Sequence, residues 1–264
     1  MLVDSHTHLD LLDLRPVGGS LAAVMERARE AGVGHMLCVA VNLRRLPRML
    51  EIVRAWPGVS ATAGLHPNER REPEPDEEAL MAAARDPAVV AVGETGLDYY
   101  RCEGDLEWQR ERFRRHIRVA RALGLPLVIH SREAAADTLR ILAEEGAGEV
   151  GGVMHCFADD WETARRALDL GFFISFSGIV TFRNAEALRE VARRVPLDRM
   201  LVETDAPYLA PVPMRGKPNF PAYVRYTAEH IAALRGEPFE RLAEATTASF
   251  FACFPRAAAH RAAA

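Results

Sequence analysis

Short apolar runs rich in Val, Ile and Leu alternate along this chain with longer stretches whose apolar residues recur every three or four positions. The first pattern predicts strands and the second amphipathic helices. The opening run, 3–9, carries His6 and His8, and further strands are predicted at 36–41, 59–65, 89–92, 127–130, 152–155, 172–176 and 200–204. Ser20 can cap a helix bearing Leu21, Val24, Met25 and Ala28 on one face, with Gly32 as its stop. Other helices are predicted at 43–56, at 106–123, between Asp160 and Gly171, and near 221–234 and 238–251. The acidic, proline-punctuated segment 69–78 reads as a surface connection running into a helix.

Eight strands alternating with helices predict a TIM-type (β/α)8 barrel of the α/β class, spanning 1–264 as a single domain. The competing architecture is an open doubly wound sheet, but no Gly-rich dinucleotide or phosphate loop follows any strand. Composition narrows the setting. A chain with 49% hydrophobic and 27% charged residues is an ordinary globular one. No apolar run approaches the roughly 18 residues a membrane span needs. Cys38, Cys102, Cys156 and Cys253 form no Cys-x-x-Cys pair, which fits reduced thiols in a cytoplasmic protein. A net charge of −4 excludes a basic nucleic-acid coat, so any contact with nucleic acid must be local. Lys217 is the only lysine.

The chemistry is carried by residues at strand ends. His6 and His8 lie two apart, so strand alternation turns both to one face, where two imidazoles can grip one cation. Glu94 closes strand four, His130 strand five and His155 strand six, and Asp205 closes strand eight. In a parallel barrel those ends share one rim, the rim on which active sites sit. His66 ends strand three there and could meet substrate or serve packing. His35, His116, His230 and His260 fall elsewhere and read as structural or surface residues.

The motifs around these positions resemble those of the TatD family of metal-dependent deoxyribonucleases, within the wider amidohydrolase-like metal barrels. They are Asp4-Ser-His-Thr-His-Leu-Asp10, Gly93-Glu-Thr-Gly-Leu-Asp-Tyr-Tyr100, Ile129-His-Ser-Arg132, Met154-His-Cys-Phe157, Glu203-Thr-Asp-Ala-Pro-Tyr-Leu209 and Arg215-Gly-Lys-Pro-Asn219. One departure is late: the family usually reads Thr-Thr-x-Asn-Phe where this chain has Thr246-Thr-Ala-Ser249-Phe.

The resemblance implies two divalent metal ions, Zn, Mn or Mg, with His6, His8 and Asp205 on one, His130 and His155 on the other and Glu94 bridging them. Related barrels often bridge with a carboxylated lysine; here the sole lysine lies beyond strand eight. Glu94 and Asp205 would offset about half the charge of two dications, leaving a surplus that suits a phosphodiester. The implied reaction is attack of a metal-activated water on phosphorus, with Asp205 moving the proton. Asp4 and Glu203, each two residues before a ligand, should point inward and orient histidines. Tyr99, Tyr100, Arg101, Arg132, Phe157, Arg183, Arg215 and Lys217, in loops on the active rim, are candidate contacts for phosphates and bases. By resemblance the substrate is single-stranded DNA, degraded 3′ to 5′; the sequence itself leads to no expectation of a membrane or an obligate protein partner. The same chemistry could instead attack the carbonyl of an amide, lactone or ester, and a non-catalytic binding protein could use the same fold.

Overall fold

In the computed structural model, which describes residues 1–71 and 73–260, eight parallel strands are hydrogen-bonded in sequence order. They are β1 (Leu2–Thr7), β2 (Val33–Cys38), β3 (Val59–Ala63), β4 (Val89–Asp98), β5 (Leu127–Arg132), β6 (Gly152–Met154), β7 (Phe172–Phe176) and β8 (Met200–Val202). The ring closes just past β8, where Thr7 pairs with Ala206. There the amide of His8 donates to the Ala206 carbonyl at 2.8 Å and that of Asp205 to the His6 carbonyl at 2.9 Å. The segments carrying three candidate ligands therefore form the seam of the barrel.

Nine helices among the described residues accompany the strands: α1 (Leu21–Glu30), α2 (Leu46–Ala55), α3 (Glu77–Ala84), α4 (Glu107–Leu123), α5 (Ala135–Glu144), α6 (Trp161–Asp169), α7 (Glu186–Arg194), α8 (Val224–Arg235) and α9 (Phe239–Cys253). Side-chain caps start two of the helices that the sequence announces: Ser20 accepts from Ala23 N at 3.1 Å, and Asp160 from Thr163 N at 2.8 Å. Asp76 caps α3 in the same way, within the acidic segment 69–78, of which Glu72 lies outside the described residues. Helices α5 and α7, outside the predicted set, follow Ala134 and Ala185 with no side-chain cap.

Among the described residues the largest core lies between strands and helices, a second lies inside the barrel, and a small third joins Val17, Val24 and Phe220. The inner core takes Val3, Leu37, Val90, Val128, Val153, Phe173 and Leu201 from seven of the strands and is completed by Phe250 and Phe254, on and just after α9. Burying each such side chain stabilises by about 1.5–3 kcal/mol. These residues fill the N-terminal half of the barrel with mainly apolar side chains, beside the buried His35–Ser60 pair, and the candidate ligands gather at the other end.

Candidate metal centre

Two slips in the sheet ladder aim the central side chains. Along β1, Asp4 pairs with Met36 and Thr7 with Cys38, so three steps on one strand match two on its neighbour. Along β4, Val92 pairs with Leu127 and Thr95 with Ile129, the same mismatch. Such bulges re-aim the residues they contain. His6 and Glu94 sit inside them, and His8 follows the end of β1. The imidazoles of His6 and His8 do converge, with Nε2 atoms 3.3 Å apart. Simple strand alternation does not produce this; the bulge and the turn after Thr7 do. Glu94 likewise does not close its strand, because β4 continues to Asp98. A Cβ at Gly96 would collide with the His130 carbonyl oxygen, so a glycine is needed where β4 and β5 approach.

Glu94 is buried at the centre, and its two oxygens face different groups. Oε2 lies 3.4 Å from His6 Nε2 and 3.9 Å from His8 Nε2. Oε1 lies 2.9 Å from His155 Nε2, 3.1 Å from His130 Nδ1 and 3.3 Å from His66 Nε2. Asp205 Oδ1 completes the first side, 3.4 Å from His8 Nε2 and 3.7 Å from His6 Nε2. Asp205 has φ of 55°, a left-handed conformation that aspartate tolerates better than most residues.

Acceptors outside the cluster orient three of these rings. His8 Nδ1 donates to the Val39 carbonyl at 2.8 Å, while His155 Nδ1 faces Glu203 Oε1 at 3.2 Å and His130 Nε2 faces Asp98 Oδ2 at 3.1 Å. Each leaves the inward nitrogen a lone pair, as metal-binding imidazoles require. Asp4 acts differently from the sequence expectation: its carboxylate accepts from Thr204 N at 2.8 Å and Thr204 Oγ1 at 2.6 Å, and reaches no imidazole. It ties the strand-one bulge to the end of strand eight.

The electrostatics are those of a cation site. Burial pushes the Glu94 carboxyl up, but His155, His66 and His130 outweigh it and hold it well below the usual range. Burial likewise opposes a charged His155, yet Glu94 and Glu203 pull its pKa well above the ordinary value. Carboxylates that hold a proton on a buried imidazole would hold a dication in its place. His6 Nδ1 and Glu203 Oε2 are buried without a hydrogen-bond partner, so the polar demand of the cluster is not met by protein alone. The donors fall into groups of metal-like spacing, among them His6, His8 and Asp205. Imidazole and carboxylate together fit a divalent ion.

A cleft of about 770 Å³ opens over the cluster. Arg101 and Arg132 line it, as do His66 and Tyr208. The Arg132 guanidinium lies 4.1 Å from the ring centre of exposed Tyr100. Other expected contacts fall elsewhere. Phe157 is buried in the outer core, and the Tyr99 hydroxyl donates to Asp137 at 2.7 Å, turned toward α5. Arg183, Arg215 and Lys217 are exposed outside the cleft lining, with Arg215 over the Phe182 ring. Asp98, Asn68 and Tyr208 also line the cleft, outside the expected set. Asp98, four positions beyond Glu94, and Tyr208, three beyond Asp205, stand inside motifs legible in the sequence; Asn68, in a loop, carries no such signal.

The profile of a family described as TatD related DNase matches residues 3–255. The chain is 50% identical to the Escherichia coli K12 protein named "Uncharacterized metal-dependent hydrolase YcfH", over 96% of this chain and 95% of that one. It is 34% identical to the Salmonella typhimurium protein named "3'-5' ssDNA/RNA exonuclease TatD", over 86% of this chain and 89% of that one. Its fold superposes on the crystal structure of the E. coli TatD homologue YJJV with a TM-score of 0.88 at 30% identity, covering 96% of this chain and 98% of the other.

Proposed function

Because the chain belongs to the TatD family of metal-dependent hydrolases, we propose that it hydrolyses phosphodiester bonds with two divalent ions and degrades single-stranded DNA from the 3′ end. The observation that carries this reading is the division of Glu94, one oxygen toward His6 and His8 and the other toward His130 and His155. In this reading His6, His8 and Asp205 would hold one ion and His130 and His155 the other, with Glu94 serving both. Divalent ions held there would supply a water of lowered pKa and stabilisation of the leaving oxygen.

The protein's own groups supply the rest. Of the two carboxylate ligands Asp205 is the more exposed, 14% of its side chain against 3% for Glu94, and it would take the proton from the attacking water. Two dications bring four positive charges, and Glu94, Asp205, Asp98 and Glu203 bring four negative ones. The local sum is therefore near zero. That corrects the surplus counted from the ligands alone, and it gives Arg101 and Arg132 the task of attracting a phosphate. Tyr100 and Tyr208, both more than half exposed, offer faces for a base. The polarity follows the name of the Salmonella relative. Four free cysteines fit a cytoplasmic setting, and no helix among the described residues is long and apolar enough to cross a membrane.

The test is a time course with single-stranded DNA labelled at its 5′ end and protein loaded with Mg, Mn or Zn. The expected result is a ladder shortening from the 3′ end, absent in Glu94→Ala and slowed about 10²–10⁴-fold in Asp205→Asn. Intact DNA with all three metals would reject the nuclease reading and direct the search to amides, lactones and esters.

A further inference from the structure

Five histidines surround Glu94, and their ring nitrogens do not meet the same partners. At His8, His130 and His155 the nitrogen turned outward meets an acceptor: the Val39 carbonyl, the Asp98 carboxylate and the Glu203 carboxylate. The ring N–H donates to that acceptor, which fixes the proton on the outward side and leaves the inward nitrogen free for a cation. His66 has the opposite polarity. Its outward Nδ1 lies 3.0 Å from the backbone N–H of Asn68. A backbone amide can only donate, so Nδ1 carries the lone pair and the proton of the neutral ring sits on Nε2. That nitrogen is 3.3 Å from Glu94 Oε1 and borders the cleft.

Spacing alone would admit His66 as a ligand, since its donor atom lies within 4.8 Å of those of Glu94 and His130. The proton decides against it, and the surroundings keep the proton in place. Gln109, Arg112 and His116, all buried on α4, grip the loop that carries His66. His116 Nε2 accepts from Leu65 N at 3.0 Å, Arg112 Nη1 donates to the His66 carbonyl at 2.8 Å, and Gln109 Nε2 donates to the Pro67 carbonyl at 3.2 Å. Gln109 Oε1 also accepts from Asp98 N at 2.8 Å, so the same stripe of α4 sets both His66 and the partner of His130. Turning the His66 ring over would break its bond with Asn68.

We propose that His66 is a hydrogen-bond donor to the substrate and not a metal ligand: its Nε2–H, beside Glu94, binds a phosphoryl oxygen of the anion held at the metal centre. The identity of that anion rests on the phosphodiester reading; the polarity of the ring does not. In the test, wild type, His66→Ala and His66→Gln are loaded with zinc, the bound metal is counted by elemental analysis, and binding of inorganic phosphate is measured by calorimetry. All three should hold the same number of zinc ions. His66→Ala should weaken phosphate about 10- to 100-fold, the usual worth of one hydrogen bond to a charged group, and His66→Gln, which keeps an N–H donor, should recover most of the loss. Nitrogen-15 spectra of the zinc-loaded protein should show Nδ1 of His66 without a proton. Loss of zinc in His66→Ala, a phosphate affinity that the substitution leaves unchanged, or a protonated Nδ1 would each overturn the proposal. None of these readouts uses DNA, so they are separate from the outcome of the nuclease assay.

Discussion

Asp98 Oδ2 stands 3.1 Å from Nε2 of His130, across the ring from Glu94, whose Oε1 lies 3.1 Å from Nδ1. One imidazole is thus held between two carboxylates 4 positions apart in β4. Asp98 is itself held by Asn68 Nδ2 at 2.7 Å and the Arg101 amide at 2.9 Å. Asp98→Asn should keep the fold and lower metal affinity about 10- to 100-fold, the usual cost of losing such a partner. Competition with a chelator of known affinity measures it; unchanged affinity would mean that the Asp98 carboxylate does not tune His130.

Arg101 and Arg132 line the cleft, and among the described residues neither is in an ion pair with a carboxylate. If both meet phosphates, removing them reduces the salt dependence of binding as well as its strength. The Arg101→Ala/Arg132→Ala double variant should lower the slope of log affinity against log salt by about 1.4, from roughly 0.7 per contact on a single strand. Fluorescence anisotropy with a labelled oligonucleotide across a salt series reads this directly. An unchanged slope would remove both residues from the binding surface.

His116 is wired as a neutral ring: Nδ1 donates to the Arg112 carbonyl at 2.8 Å, and Nε2 accepts from Leu65 N. Burial, the largest cause, lowers its pKa from 6.5 to about 4. Above 6.5 the ring is neutral in both folded and unfolded chains and has no linkage effect. Below 6.5 the unfolded chain takes up a proton that the fold refuses until about 4, so stability falls through that window, by up to about 3 kcal/mol. Urea unfolding between pH 7 and 4.5 should show a steeper loss for wild type than for His116→Gln. Parallel pH profiles would refute the assignment.

The barrel was legible because hydrophobic runs and helix caps such as Ser20 and Asp160 are local signals, and eight repetitions of one pattern outweigh errors at any boundary. All six proposed ligands lie around one point because a parallel barrel brings strand ends together wherever they fall in the chain. What escaped was set by geometry between elements. Tyr99 and Phe157 are aromatic residues within the motifs, yet Tyr99 turns to Asp137 and Phe157 packs in the core. Their direction depends on how loops fold over the rim, and no period in the sequence encodes that. Asp4 has the spacing of an inward-facing residue, but the bulge after it redirects its carboxylate to Thr204. Ser249, at the departure from the family pattern, is buried and donates to the Leu197 carbonyl at 3.1 Å, a contact that involves none of the proposed ligands.

If Glu94 joins two ions in one site, electron paramagnetic resonance of the manganese-loaded protein will register it, because two Mn²⁺ ions sharing a carboxylate couple their spins. A coupled signal should grow in with the second equivalent of metal and be lost in Glu94→Ala. A spectrum of isolated Mn²⁺ at every loading, with the same metal count in wild type and Glu94→Ala, would contradict that bridging role.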